Sequence, residues 1–295
     1  MSEQGLSGGV SVVVPAYNEE HTVKKALEKI LAVLGELKEP NEVIVVDDGS
    51  SDETVGQIST LLPRVKLLRH ETNRGYGASL KTAIRQARYP IVVMTDADGT
   101  YPFEELPRLL GSLANADMVV GARTGEKVAI PLVRKPAKWL LSVLANRLSG
   151  VAIPDLNSGF RVFLKEVITY YFHILPNRFS FTTTMTLAML ADGYRVRYVP
   201  IDYRKREGQS KIKPVDAIGF LILILRTVTY FNPLRIFAPI FLMLLLLAIG
   251  KSAYDIFWLK NITDTTTLIW LMSLQVLLIG LVADLVVKRD RGGSS

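Results

Sequence analysis

Two hydrophobic rhythms divide the chain. Up to about residue 215, short apolar runs alternate with amphipathic stretches, and beyond it apolar residues are nearly unbroken. Val10 to Val14 is a β-branched run that stops at Pro15, as expected of a strand buried on both faces of a parallel sheet. Val23, Ala26, Leu27, Ile30, Leu31 and Leu34 then recur at helical spacing, with Lys24, Lys25, Glu28 and Lys29 on the opposite face. Further strands are expected at Glu42 to Val46, Val65 to Leu68, Ile91 to Met94 and Met118 to Val120. Helices are expected through Val55, Ile58 and Leu61, capped by Ser51 or Asp52, and over Gly77 to Arg88. This alternation predicts an α/β domain with a mostly parallel sheet over residues 1–214.

The second rhythm predicts membrane. Pro131 to Val151 sets Trp139, Leu140, Val143, Leu144 and Leu148 against Arg134, Lys135, Lys138 and Arg147, a pattern that suits a helix lying in a membrane interface. Residues 215–233 repeat it as an amphipathic juxtamembrane helix, too short in its apolar part to cross. Residues 234–295 hold two stretches that can cross. Leu234 to Leu259 is interrupted only near its far end by Lys251 and Asp255, and Leu268 to Val287 is about 30 Å long as a helix, one hydrocarbon thickness. The polar loop KNITDTTT between them makes a transmembrane hairpin. Arg226 and Arg235 precede the first span, and Lys288, Arg289 and Arg291 follow the second. Both termini are therefore expected in the cytoplasm, with the catalytic domain. Met1 to Gly9 is short and polar, unlike a signal peptide.

Composition narrows the chemistry. With no cysteine, thiolate nucleophiles, disulfides and Cys-based zinc sites are excluded. The net charge of +7 matters less than its placement: Arg123 to Arg147 holds six basic residues against Glu126, and Arg195 to Lys213 seven against Asp202 and Glu207. Beside membrane-like segments, such blocks point to anionic lipid or phosphate, and nucleic acid is not expected. His21, His70 and His173 lack metal-ligand spacing, no GxSxG elbow occurs, and nothing like GxGxxG follows the first strand. Gly75 and Gly77 in NRGYGASL read as a tight loop opening a helix, either a plain turn or a place where backbone approaches a ligand.

The acidic strand ends carry the candidate chemistry. The run IVVM leads through Thr95 into Asp96, Ala97 and Asp98. Residues two apart on an extended segment point the same way, so both carboxylates can serve one hard cation, Mg²⁺ or Mn²⁺, completed by phosphate oxygens and water. In an open parallel sheet, ligands gather at the carboxyl ends of the strands. The first strand ends in Pro15-Ala16-Tyr17-Asn18-Glu19, the second in Asp47 and Asp48, and the fourth in Asp96 and Asp98. Three polar ends would converge on one crevice.

The stretches VVVPAYNEE, VVDDGSSDET, NRGYGASL, TDADGTYP, LNSGFRVF and REGQSK, in this order and spacing, resemble the family 2 glycosyltransferases, and more narrowly the polyprenyl-phosphate (dolichyl-phosphate) mannosyl- and glucosyltransferases. The QxxRW element of processive polysaccharide synthases is absent. The resemblance implies a Rossmann-like glycosyltransferase A-type domain, a GDP- or UDP-hexose donor, a polyprenyl phosphate acceptor and an inverting, β-forming transfer, with mannose ahead of glucose. It implies that Pro15, Tyr17 and Glu19 border the nucleoside, that Asp47 or Asp48 reads the base or ribose, and that Asp96 and Asp98 hold the metal on the diphosphate beside Ala97. Thr100 stands where several relatives have a metal-reaching glutamine. Arg206, Ser210 and Lys211 would form a loop closing over the donor phosphates. Arg123 and Arg134, with Lys135 or Lys138, would clamp the acceptor phosphate, and Ser158 and Arg161 would line the wall between the substrates. Asp98, Arg123, Arg134 and Arg206 are thus the expected catalytic groups, with no general base, because a phosphate acceptor is already ionised. A binding subunit without turnover, or transfer to a lipid-linked saccharide, are the alternative readings.

Overall fold

The computed structural model describes residues 8–124, 153–178, 180–203, 229 and 233–292. The interfacial helix expected at 131–151, with Arg134, Lys135 and Lys138, lies outside them. So do residues 215–228 of the juxtamembrane helix and the REGQSK stretch with Arg206, Ser210 and Lys211.

Among the described residues, seven strands form one sheet: β1 (Val10–Ala16), β2 (Asn41–Asp47), β3 (Lys66–Arg69), β4 (Ile91–Met94), β5 (Met118–Ala122), β6 (Arg161–Leu164) and β7 (Val196–Pro200), in the order β3-β2-β1-β4-β6-β5-β7. Only β6 runs against its neighbours, pairing antiparallel with both β4 and β5. The expected mostly parallel sheet is therefore present, with one reversed strand inserted between the fourth and fifth. The order also sets β2, β1 and β4 side by side, in registers such as Val13↔Ile44 and Val13↔Met94, so their carboxyl ends open at one edge.

Side chains alternate across the sheet into two cores, which explains the continuous apolar runs. Val12 and Val14 pack with Leu27 and Ile30 of α1 (Val23–Glu36) and Leu109 and Leu110 of α4 (Leu106–Leu113). On the other face Val13 packs with Leu80 and Ile84 of α3 (Tyr76–Gln86), Ile168 of α5 (Lys165–Tyr170) and Met185 of α6 (Phe181–Ala191). The short α2 (Thr54–Ser59) is preceded by Asp52, whose Oδ1 accepts from the Thr54 amide at 3.0 Å and from its hydroxyl at 2.5 Å. The N-cap is Glu53, which makes no side-chain cap bond, so neither Ser51 nor Asp52 caps the helix; Asp52, one residue earlier, holds Thr54 instead.

Helix α6 has no polar stripe because it is covered all round. Phe181, Met185 and Met189 face the sheet, while Leu187 and Leu190 join a small cluster with Ile153 and Ile236. Ile236 belongs to the first turn of α7 (Leu234–Tyr254), so the C-terminal hairpin is rooted on the α/β domain. Helix α7 runs through a π-helical turn at Asp255–Leu259 and is followed by α8 (Asp264–Gly292). The candidate spans are Leu234–Leu259 and Asp264–Val287, and few of their residues are buried inside the chain. A soluble core helix would be covered by protein; these two present leucines outward and need lipid to cover them. At the tip, Asp255 is fully buried and accepts from Lys251, from the Thr263 amide (2.9 Å) and hydroxyl (2.7 Å), and from the Thr266 hydroxyl (2.6 Å). That network satisfies the carboxylate and joins the two helices.

Candidate active site

The loops after β1 and β2 are stitched together. Asn18, in the left-handed region at φ 51°, receives the Ser51 amide on Oδ1 at 2.9 Å and donates its own amide to the Ser50 hydroxyl at 3.0 Å. The Glu19 amide donates to Thr54 Oγ1 at 2.8 Å, and Tyr17 stands 36% exposed at the rim beside Pro15. Asp47 and Asp48 are buried, and their oxygens serve the protein. Asp47 pairs with Arg69 at 3.2 Å and accepts from the Ser50 amide at 3.3 Å. Asp48 accepts from His70 Nδ1 (2.7 Å), which must be the protonated ring nitrogen, and from the amides of Arg74 (3.0 Å) and Gly75 (2.7 Å). In this conformation Asp48 shapes the loop that opens α3, while Asp47 ties the end of β2 to Arg69 and Ser50.

That loop answers the question of its glycines. Gly75 has φ +101°, and a Cβ there would lie 2.5 Å from the Asn177 carbonyl oxygen; at Gly77 it would lie 2.2 Å from that of Pro176. The close approach is to the chain's own backbone. Lys81 holds the same segment, donating to the Leu175 carbonyl (2.5 Å) and to Asn177 Oδ1 (3.0 Å), and burial draws its pKa below the ordinary lysine value.

Asp96 and Asp98 are half-buried at the end of β4, with Ala97 buried between them. Tyr76 Oη donates to Asp96 Oδ1 at 2.9 Å. Burial, then the Asp96 charge, push the Tyr76 phenol well above its ordinary pKa, so it stays a donor at neutral pH. Asp98 Oδ1 accepts from the Thr100 amide (3.1 Å) and hydroxyl (2.6 Å). Thr100 is only 1% exposed and so stands behind the carboxylate it was expected to assist at a metal. Behind Asp96 is Gly159, where an added Cβ would sit 2.8 Å from Asp96 Oδ2. Only hydrogen fits there. Gly159 is fixed in turn by its amide donating to Tyr101 Oη at 2.7 Å.

The NSGFR segment therefore backs Asp96 from beneath. Ser158 and Arg161 are fully buried, which corrects their expected place on the wall between substrates. Ser158 Oγ donates to the Gly121 carbonyl at 2.5 Å. Arg161 donates from Nε to the Ser158 carbonyl (2.8 Å), from Nη2 to that of Leu156 (2.9 Å) and from Nη1 to Thr186 Oγ1 (2.6 Å). No described carboxylate forms an ion pair with it. Burial lowers its pKa, yet a guanidinium remains protonated, and these carbonyls hold it.

Arg123 is similarly committed. Its Nε and Nη2 form a fork to Asp155 at 2.7 and 2.8 Å, its amide donates to the same carboxylate at 3.0 Å, and its guanidinium stacks 5.2 Å from the Tyr203 ring centroid. Burial is the largest influence and acts to lower its pKa, but the bonds and charge of Asp155 together with Tyr101 and Tyr203 outweigh it, and the net shift is upward. The pair ties the end of β5 to the 155–158 loop. Nothing in the periodicity announces Asp155, Gly159 or Tyr76; their only sequence signal is position inside or beside the short polar motifs.

The carboxylate pair fits a hard divalent cation. Two protein carboxylates with the remaining positions left to phosphate and water suit Mg²⁺ or Mn²⁺. Among the described residues no group of three or more acidic or histidine side chains could enclose a metal, so a bound diphosphate would have to share it.

Three adjacent polar strand ends around an acidic pair, on a mostly parallel sheet with one reversed strand, define a glycosyltransferase A-type fold. The chain belongs to glycosyl transferase family 2, whose model matches residues 11–172, and residues 232–288 match the GtrB C-terminal hairpin. It is 31% identical to an undecaprenyl-phosphate mannosyltransferase of Micrococcus luteus, over 69% of this chain and 87% of that one. It is 30% identical to a dolichyl-phosphate beta-glucosyltransferase of Trichomonas vaginalis (75% and 71%), and 29% identical to an undecaprenyl-phosphate 4-deoxy-4-formamido-L-arabinose transferase of Pseudomonas fluorescens (78% and 68%). The glucosyl-3-phosphoglycerate synthase of Mycobacterium tuberculosis, solved with UDP, superposes with a TM-score of 0.59 at 20% identity, over 75% of this chain and 80% of that one, a likeness of fold.

Proposed function

We propose that the protein transfers a hexose from a nucleotide-diphospho-sugar to a polyprenyl phosphate at the cytoplasmic membrane surface, with inversion, giving a β-linked lipid-phosphate sugar. Mannose is the favoured sugar and glucose the next. The observation that carries the proposal is the half-buried Asp96 and Asp98 pair at the end of β4, beside the ends of β1 and β2, on a domain against which a lipid-requiring hairpin is rooted. Family membership and the lipid-phosphate activities in the names of the relatives support it.

In this reading the donor lies across the β1 and β2 ends, near Pro15, Tyr17 and Glu19, with its diphosphate toward Asp96 and Asp98. A divalent ion bound there would neutralise charge on the diphosphate as it leaves. Arg206 and Lys211 close on the departing diphosphate. Arg134 fixes the acceptor phosphate, helped by Arg123 through Nη1, the edge that Asp155 does not take. The acceptor oxygen is already anionic, so alignment against charge repulsion is the task, and cations perform it. The hairpin holds the crevice where the lipid headgroup arrives.

The nucleotide is tested by thermal unfolding with a panel of GDP- and UDP-sugars and Mn²⁺. One base is expected to stabilise the protein by about 2.7 kcal/mol at a hundredfold excess over Kd. Stabilisation by neither base would refute the donor assignment.

A further inference from the structure

We propose that Thr100 and Tyr76 are positioning residues that preset the two metal-facing carboxylates, and that Thr100 acts from behind Asp98 and is not itself a ligand. The inference rests on the metal-diphosphate reading above. Each carboxylate of the pair is held through its Oδ1 by a hydroxyl from a different part of the chain: Asp98 by Thr100 at 2.6 Å, and Asp96 by Tyr76, on α3, at 2.9 Å. The two holds are unlike in origin. Thr100 closes a local turn, its amide and hydroxyl converging on one oxygen, and its side chain is buried with that bond made. Tyr76 reaches across from the loop that Asp48 shapes through the Arg74 and Gly75 amides, so the Asp96 carboxylate is coupled to the β2 end of the crevice.

Two further contacts limit where the carboxylates can go. Gly159 presses against Asp96 so closely that a methyl group there would meet both of its oxygens within 2.9 Å, and Gly159 is itself held by Tyr101. A carboxylate fixed at one oxygen and backed by protein turns its coordinating edge in one direction. The ordering entropy is then met on folding, not on metal binding, which is how outer-shell hydrogen bonds raise metal affinity. A threonine in this place supplies order, where a longer side chain would supply a ligand atom.

The test is Mn²⁺ titration of the full chain in detergent with saturating UDP or GDP, free Mn²⁺ being followed by its magnetic-resonance signal, for wild type, Thr100→Val, Thr100→Ser, Tyr76→Phe and Asp98→Ala. Valine keeps the shape of threonine and phenylalanine that of tyrosine, so each removes little more than a hydroxyl. Thr100→Val and Tyr76→Phe are expected to weaken Mn²⁺ binding by about 10- to 100-fold. Thr100→Ser should bind close to wild type, and Asp98→Ala should lose the site. If both hydroxyl-deleted variants bind Mn²⁺ like wild type while Asp98→Ala does not, the positioning role is wrong and the metal assignment stands. If Asp98→Ala also binds like wild type, the metal assignment fails and the positioning role falls with it. In transfer assays, excess Mn²⁺ should restore Thr100→Val by lowering the fraction of metal-free enzyme. A kcat deficit that persists at saturating Mn²⁺ would contradict a role confined to the metal.

Discussion

Asp98→Ala should reduce hexose transfer to polyprenyl phosphate by at least about 10²-fold while leaving the fold intact. The carboxylate sits half-buried at the end of β4, and its bonds to the Thr100 amide and hydroxyl close a local turn of the chain. On the proposed function, what the variant loses is the charge that would face the donor diphosphate. Circular dichroism and thermal unfolding should match wild type within a few degrees, and the deficit should appear in kcat as well as in metal dependence. Wild-type turnover in this variant would remove the acidic pair from the chemistry.

Asp155→Ala should behave in the opposite way, as a stability variant first. Asp155 is buried and receives a two-point fork and a backbone amide from Arg123. Removing one partner of such a pair leaves an uncompensated charge in a dry place, at a cost of about 3–5 kcal/mol. For a domain of this size that corresponds to a fall in Tm on the order of 10 °C. The loss should spread to the site, because the 155–158 segment is fixed from the other side by Arg161 and leads directly into Gly159 behind Asp96. Replacing both partners, Asp155→Leu with Arg123→Met, should recover much of the stability, since no orphaned charge remains. A fall of less than 2 °C in the Asp155→Ala midpoint would show that the fork is not a structural tie.

The contrast between these residues marks what the chain discloses by its pattern. Strands β1, β2 and β4 are buried on both faces by helices, and a doubly covered parallel strand must be a continuous apolar run, so each is legible within a residue or two. Helix α1 has one wet face and shows it. The hairpin is legible for the same reason: lipid demands unbroken apolar length. Strand β6 is not, because RVFL is short and begins with an arginine whose burial is made possible only by carbonyls and a threonine brought from elsewhere. Helix α6 hides behind its threonines, since a helix covered all round has no stripe. At the site, the acidic pair and its neighbouring strand ends are readable from alternation and topology. Their supports are not. That Gly159 touches Asp96, that Tyr76 reaches it, and that Asp47, Asp48 and Arg123 are occupied within the protein all depend on contacts between segments tens of residues apart.

The most direct measurement is transfer itself. Purified full-length protein in detergent or lipid discs is incubated with labelled GDP-mannose, UDP-glucose and other common nucleotide sugars, each with polyprenyl phosphate and Mn²⁺ or Mg²⁺, and label entering the organic phase is counted. The account predicts that one donor yields a labelled lipid, dependent on the lipid phosphate and on the divalent ion. A donor that binds and stabilises the protein yet transfers no label to polyprenyl phosphate with either ion would contradict it.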